Sequence, residues 1–281
     1  MYSSVKPIIL GTLSILSNYA KLVNLEAFLC DLKAATDKYQ TQEERELGKN
    51  IEKEKDEWKK LYKFSKKHGF DPDPFYFHHG LRFANQKIKD YIKGKDFIDG
   101  GAHIGDSVLT LREYKPNKIY SFEIGQEFAI EYEENMKLNN VDPKIYELVF
   151  KGLYDKKTKQ TVQMRGASTS FMTGEWSQEI ETIDLDTFVK ERNLNIGFIK
   201  LDLEGAEIDA IKGMKETLIK HRPVIICAIY HNPDQFFDLK PLLESFLEGY
   251  TYEISKYEPK VAGWTPIVST NLFAYPAELK D

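Results

Sequence analysis

Charged side chains alternate with aliphatic ones at residues 199–204. In an extended chain, Lys200, Asp202 and Glu204 would all point to the same side of a strand. Three such charges do not fit inside a sheet that is covered on both faces. We therefore expect them at the carboxyl end of a strand, in the crevice where α/β proteins bind their ligands.

Two more ionisable residues are expected near the same crevice. His231 directly follows the apolar residues 224–230, at the predicted carboxyl end of the neighbouring strand, and an imidazole titrates near neutral pH. Glu207 falls in the first turn of the helix after Glu204, where a carboxylate either stabilises the helix dipole or contributes to a site. The pattern indicates acid–base chemistry at the ends of two strands.

A glycine-rich loop at residues 99–105 separates a short apolar segment from a predicted helix. Gly100, Gly101 and Gly105 allow the backbone to approach a ligand, and the helix N-terminus attracts anionic groups. Glu123 ends the next predicted strand, 18 residues beyond Gly105, where an acidic side chain typically accepts hydrogen bonds from ribose hydroxyls. The loop and the carboxylate together predict a site for a nucleoside cofactor.

Asp99 favours one such cofactor over another. The spacing from Gly101 to Gly105 does not fit the G-x-G-x-x-G pattern of dinucleotide sites. A carboxylate at the mouth of the loop would repel a pyrophosphate but suits a ligand with an ammonium group, a sulfonium and no phosphate. S-adenosylmethionine is therefore favoured over NAD. His103 occupies a position where a small residue is usual, so its side chain either contacts the cofactor or points to solvent.

The apolar pattern divides the chain into two parts. Residues 1–93 show three- and four-residue spacing, which predicts a helical region used for packing or dimerisation. Its helices are expected at residues 13–30, 42–67 and 85–92, and the second has one apolar stripe formed by Leu47, Ile51, Trp58, Leu61 and Tyr62.

Residues 94–281 alternate short apolar segments with helical ones. This alternation is typical of a parallel α/β sheet with helices on both faces, and here it defines the predicted cofactor-binding domain. The last two apolar segments, at residues 250–254 and 271–275, have no long helix between them. They are therefore expected to form an antiparallel pair at one edge of the sheet.

Composition excludes several classes of protein. The 281 residues carry a net charge of −5, which argues against a general nucleic-acid binder. Cys30 and Cys227 are the two cysteines, so a disulfide framework or a cysteine metal site is ruled out. The longest apolar stretch, at residues 8–16, is too short to span a bilayer. We expect a cytoplasmic protein without a membrane span.

Five segments together resemble the FkbM family of S-adenosylmethionine-dependent methyltransferases. They are residues 99–105, Glu123, 199–207, 230–233 and 271–274, and the most specific is KLDLEGAE within the third of them. The resemblance covers about residues 75–276. It implies the class I methyltransferase fold, which is Rossmann-like with a seven-stranded sheet and an antiparallel edge strand. It also implies O-methylation of a hydroxyl on a sugar, a glycan or another natural product.

The resemblance also implies roles for individual residues. Asp99, Gly101 and Gly105 would hold the methionine end of the cofactor, and Glu123 its ribose. Asp202 and Glu204 would lie near the sulfonium and the acceptor. His103 departs from the family, which often has Asn at this position.

Methyl transfer to a hydroxyl requires a base as well as alignment of the two reactants. We expect His231 to be that base, with Asp202 orienting the ring or acting directly, and Glu204 is the second candidate. An alternative is that Asp202, Glu204 and His231 bind Mg²⁺ and hold the acceptor through it, although this donor set suits Mg²⁺ only partly. S-adenosylhomocysteine is the expected product, and no metal is favoured.

Two other classes of protein remain as alternatives. An NAD-dependent oxidoreductase would have to overcome the charge of Asp99. A non-catalytic interaction protein would use the N-terminal helices for binding and the α/β part as a scaffold. It predicts no affinity for either cofactor.

Overall fold

The computed structural model describes residues 42–165, 168–170, 177–256 and 270–281. Its helices are α1 (Gln42–Leu61), α2 (Gln86–Ile92), α3 (Asp106–Leu111), α4 (Gln126–Leu138), α5 (Leu185–Arg192), α6 (Glu207–Lys212), α7 (Lys215–His221) and α8 (Pro233–Glu244). A π-helical turn, Asp73–Phe77, lies between α1 and α2. The helix predicted at residues 13–30, and with it the expected dimerisation surface there, lies outside the described residues.

Seven strands form the main sheet. They are β1 (Asp96–Gly100), β2 (Ile119–Phe122), β3 (Tyr146–Val149), β8 (Ile196–Leu201), β9 (Val224–Ala228), β10 (Tyr250–Lys256) and β11 (Thr270–Pro276), in the order β10-β11-β9-β8-β1-β2-β3. All neighbours are parallel except that β11 runs antiparallel to both β9 and β10. The predicted α/β fold with a seven-stranded sheet and an antiparallel pair at one edge is confirmed.

Apolar side chains alternate between the two faces of the central strands. Phe97 of β1 and Phe198 of β8 pack into the core beneath α1, α3 and α4. Ile98 and Ile199 face the opposite core, which α5, α6, α7 and α8 cover. Because both faces are covered, strands β1 and β8 are buried along their whole length.

Helix α1 ends at Leu61, six residues before the end of the predicted helix. The backbone N–H groups of Lys63 and Ser65 donate to the side-chain oxygens of Asn139 and Asn135, at 2.9 Å and 2.8 Å. These tertiary hydrogen bonds replace those of a longer helix. The predicted apolar stripe was also wrong at one position, because the Leu61 side chain is 68% exposed.

A second sheet was not predicted from the sequence. Strands β4 (Gly152–Leu153), β5 (Thr158–Arg165), β6 (Ser168–Ser170) and β7 (Ser177–Ile183) form it in the order β4-β7-β5-β6. Its strands are rich in polar residues, and the buried Val162 and Ile180 provide few apolar positions for a pattern.

The described part of the N-terminal region shares a core with the main sheet. Trp58 of α1 contacts Phe70, Phe75 and Tyr76, and these rings join the cluster that includes Phe97. Among the described residues, no helix combines the length and the apolar character needed to cross a membrane.

Candidate active site

The glycine loop lies against the end of strand β8. The Asp202 N–H donates to the Gly100 carbonyl at 3.0 Å, and Gly101 has a φ of +77°. A Cβ atom at Gly101 would lie 1.8 Å from the Asp202 carbonyl oxygen, and one at Gly105 would lie 2.8 Å from Tyr132. These two glycines are therefore required by the packing of the chain itself, and not only by the approach of a ligand.

Asp99 is fully buried at the end of β1, and its charge is matched inside the protein. Its Oδ2 accepts a hydrogen bond from Ser121 at 3.2 Å, and its Oδ1 lies 3.3 Å from Lys200 Nζ. Lys200 also donates to the carbonyls of Gly100 and Gly101. Burial lowers the pKa of Lys200, but Asp99 and Asp202 raise it and prevail. The charge that favoured S-adenosylmethionine in the sequence is thus paired with a lysine.

Glu123 joins the glycine loop to the start of α4. One carboxylate oxygen accepts from the His103 N–H at 2.7 Å, and the other accepts from the N–H groups of Ile124 and Gly125. His103 has a φ of +45°, and its ring packs on Phe128 with centroids 4.4 Å apart. The structure therefore brings Glu123 and His103 to the loop, while their contacts with a cofactor stay predictions.

The three predicted catalytic residues lie together. His231 Nε2 is 3.3 Å from Asp202 Oδ1 and 3.6 Å from Glu204 Oε2. Asp202 also accepts from the Tyr230 hydroxyl. Glu204 has a φ of +54°, a conformation that is strained for a residue with a side chain and that recurs at functional sites.

Glu207 belongs to this cluster, although the sequence left its role open. Its carboxylate is fully buried, and Oε1 lies 3.0 Å from His231 Nδ1. It also accepts hydrogen bonds from the N–H groups of Leu203 and Gly205 and from the Gln235 side chain. The sequence indicated only an acidic residue in the first turn of a helix. A residue that merely stabilises the helix end gives the same pattern, so the sequence could not decide the role of Glu207.

The surrounding carboxylates set the charge of His231. Burial lowers its pKa, but Asp202 and Glu207 raise it well above the usual value, so the ring is cationic at neutral pH. The pKa of Asp202 is lowered because the contribution of His231 outweighs burial. Burial raises the pKa of Glu204, and the charges of Asp202 and Glu207 add to this. We expected His231 to titrate near neutral pH, but the neighbouring carboxylates raise its pKa well above that range.

The structure groups different metal-donor residues from those predicted. In the parts of the chain that the structure describes, the donor atoms that lie within 4.8 Å of one another come from Asp202, Glu207 and His231. Glu204, a member of the alternative Mg²⁺ site, is outside this group. Because Glu207 already accepts three hydrogen bonds, its carboxylate has little capacity left for a cation.

Several buried polar atoms near these strand ends receive no hydrogen bond. They include Asp73 Oδ1, Asp99 Oδ1 and both ring nitrogens of His231. Each of them nevertheless faces an ionisable neighbour: His79 lies 3.5 Å from Asp73 Oδ1, Lys200 lies 3.3 Å from Asp99 Oδ1, and carboxylates flank the His231 ring. The carboxylates at the loop and the strand ends, Asp99, Glu123, Asp202, Glu204 and Glu207, outnumber the basic side chains Lys200 and His231, so the residues present fit a ligand that carries cationic groups, as S-adenosylmethionine does.

Comparison with known proteins identifies the class. The sequence model of the "Methyltransferase FkbM domain" matches residues 99–254, more than half of the chain. The fold and this match are those of a family of S-adenosylmethionine-dependent methyltransferases. The chain belongs to the FkbM methyltransferase family, which confirms the resemblance found in the sequence.

Solved structures support the same fold. The FkbM methyltransferase from Methylobacillus flagellatus KT superposes with a TM-score of 0.53 at 16% identity; the match covers 81% of this chain and 60% of that one. A putative rRNA methylase from Clostridium thermocellum gives a TM-score of 0.44 at 10% identity, covering 74% and 97%. A putative methyltransferase from Streptococcus mutans in complex with S-adenosylhomocysteine gives 0.42 at 14%, covering 72% and 96%. The last two are too distant to support an inference. No curated protein matches the sequence.

Proposed function

We propose that this chain methylates a hydroxyl group of a sugar, a glycan or another natural product. The observation that carries the proposal is Glu204, a 40% exposed carboxylate with a raised pKa beside a buried and cationic His231. S-adenosylmethionine, when bound, supplies a methyl group that its sulfonium has activated. The protein must then align the acceptor hydroxyl and remove its proton.

Glu204 takes the proton in this proposal. His231 cannot accept it while its ring is already protonated, and Asp202 is a weak base because its pKa is lowered. Bound S-adenosylmethionine would supply the methyl group and would leave as S-adenosylhomocysteine once the methyl–sulfur bond breaks, and Glu204 would take the proton that the acceptor hydroxyl loses. Glu207 holds the His231 ring on one side and Asp202 holds it on the other, so that the cation stays 3.6 Å from Glu204.

The glycine loop and Glu123 form the cofactor part of the proposed site. Glu123 would receive the ribose hydroxyls at Oε2, which accepts one hydrogen bond, from the His103 N–H, whereas Oε1 already accepts two. Residues 99–105 would lie against the methionine end, with Asp99 and Lys200 as a buried pair beneath them. The division into residues 1–93 and 94–281, dimerisation through the N-terminal helices and a cytoplasmic location stay predictions.

Calorimetric titration with S-adenosylmethionine, S-adenosylhomocysteine and NADH tests the class of cofactor. We expect micromolar binding of the first two and none of NADH. Absence of heat from both adenosyl ligands, in folded protein free of co-purified cofactor, would overturn the proposal in favour of an interaction protein. Binding of NADH alone would favour the oxidoreductase.

Matched acceptors test the type of bond formed. The protein is incubated with labelled S-adenosylmethionine and pairs of sugars that differ only by a hydroxyl or an amino group at one position. Mass spectrometry then locates the label. We expect it on oxygen, and transfer to nitrogen alone would contradict O-methylation.

A further inference from the structure

The chain before strand β1 reaches the candidate active site in an unusual conformation. After the π-helical turn, His78, His79 and Gly80 have φ values of +48°, +50° and +85°. Consecutive left-handed residues with side chains persist only where the surroundings hold them, and such residues cluster at ligand sites. This segment lies outside residues 99–254, which the family model covers.

His79 fastens the segment to the helix that follows the glycine loop. Its ring is buried, with Nε2 2.9 Å from Ser107 Oγ and Nδ1 3.5 Å from Asp73 Oδ1. Ser107 lies in the first turn of α3, two residues after Gly105. Asp73 is therefore held close to the loop that the proposed function assigns to the methionine end of the cofactor.

The charge of Asp73 affects the pKa values of two residues in the candidate active site. Burial lowers the pKa of Lys200 in β8, and Asp73 is among the carboxylates that raise it. Burial also raises the pKa of Tyr230, beyond β9, and Asp73 adds to that rise. Asp73 thus acts electrostatically on Lys200, which contacts the glycine loop, and on Tyr230, which donates to Asp202.

The carbonyls of the loop and the Asp99 carboxylate are already used or enclosed. Lys200 donates to the carbonyls of Gly100 and Gly101, and the Asp99 side chain reaches no solvent. The Asp73 side chain keeps 20% of its surface exposed, and its buried Oδ1 has His79 Nδ1 as a neighbour at 3.5 Å. Of Asp73 and Asp99, Asp73 is therefore the carboxylate that a ligand can reach.

Negative charge is in excess at this place. Among the described residues at the strand ends and the loop, the carboxylates are Asp73, Asp99, Asp106, Glu123, Asp202, Glu204 and Glu207, and the basic side chains paired with them are Lys200, His79 and His231. The excess suits a ligand with more positive than negative groups.

We propose that Asp73 binds the ammonium group at the methionine end of the cofactor, so that a residue outside the matched domain completes the site. This inference rests on the proposed function and extends it. The ammonium donates to the Asp73 carboxylate, and His79 fixes the carboxylate from behind through its 3.5 Å contact.

The test compares S-adenosylhomocysteine with 5′-methylthioadenosine, which lacks the amino-acid end. Both are titrated calorimetrically into the wild type and the Asp73→Asn variant. We expect Asp73→Asn to weaken S-adenosylhomocysteine binding about 10-fold or more and to leave 5′-methylthioadenosine within about 2-fold. Equal weakening of both ligands, or no weakening of S-adenosylhomocysteine, would overturn the proposal.

Two further variants complete the experiment. Asp71→Asn removes a carboxylate from the same turn, and its amide oxygen can still accept the Asp73 N–H, so both affinities should match the wild type. Asp73→Glu keeps the charge and should keep the preference for S-adenosylhomocysteine, including where Asp73→Asn does not fold. Loss of that preference in a folded Asp73→Glu variant would count against the proposal.

The experiment also separates this inference from the proposed function. If the wild type binds neither ligand, both are overturned. If the wild type binds both ligands and Asp73→Asn leaves their relative affinities unchanged, this inference alone is overturned.

Discussion

The charge of His231 changes which residue can act as the base. An imidazole beside a single carboxylate is a common proton acceptor, but this ring lies within 3.6 Å of three carboxylates. They hold the proton on the ring, and burial, followed by the charges of Asp202 and Glu207, raises the pKa of Glu204 against the lowering effect of His231. The type of residue was therefore a poor guide to its role, and the neighbours decided it.

The Glu204→Gln variant tests this assignment. We expect kcat to fall about 100- to 1000-fold because the proton acceptor is lost, while the affinity for S-adenosylhomocysteine stays unchanged. In the wild type, activity should be lost as pH falls through the raised pKa of Glu204, because the protonated acid cannot accept a proton. The variant should lack that acid limb. If the activity of the wild type rises only well above pH 6.5, the proton acceptor is His231 instead of Glu204.

The glycine loop and strand β8 form one rigid unit at the level of the elements. Gly101 and Gly94 both have a positive φ, +77° and +73°, but their surroundings differ. A Cβ at Gly101 meets the Asp202 backbone at 1.8 Å, whereas one at Gly94 meets nothing within 4 Å. The loop is thus held in place by the strand that carries the proposed catalytic residues.

The pair of variants Gly101→Ala and Gly94→Ala separates backbone strain from close packing. Gly94→Ala should lower the free energy of unfolding by about 1–2 kcal/mol, the cost of a side chain in the left-handed region. Gly101→Ala should lower it by about 4 kcal/mol, since β1 and β8 must also move apart. Urea denaturation measures both. Equal losses would show that the contact with Asp202 is relieved easily.

Some elements could be predicted from the sequence and others could not. The ends of β8 and β9 could be predicted because each apolar segment is followed by ionisable residues, and a parallel sheet places the ends of its strands together. The ion pair of Lys200 with Asp99 is a contact between strands a hundred residues apart, which no local pattern encodes. The end of α1 depends on Asn135 and Asn139 in the same way.

Helix α1 is part of the main core of the molecule. Trp58 is 5% exposed and contacts three aromatic rings, while Leu61, one turn later, is 68% exposed. The same apolar cluster continues to Phe97 in the centre of the sheet. We therefore expect α1 and the sheet to unfold together.

Trp58→Ala and Leu61→Ala test that expectation. Trp58→Ala should lower the free energy of unfolding by about 3–5 kcal/mol, because a large buried ring is removed. Leu61→Ala should change it by less than about 0.5 kcal/mol. Unfolding is followed by far-ultraviolet circular dichroism and by fluorescence. Separate transitions for the two signals would show that α1 is an independent unit.

The position of β11 has a consequence for any shortened form of the protein. The family match ends at Ile254, inside β10, and omits β11, which lies hydrogen-bonded between β9 and β10. A fragment cut at that boundary would leave one side of β9 unpaired. Since every residue of Val224–Ala228 is buried and three of the five are β-branched, the bare strand would be a template for pairing between molecules. Such a fragment is expected to aggregate, so expression boundaries should extend through β11.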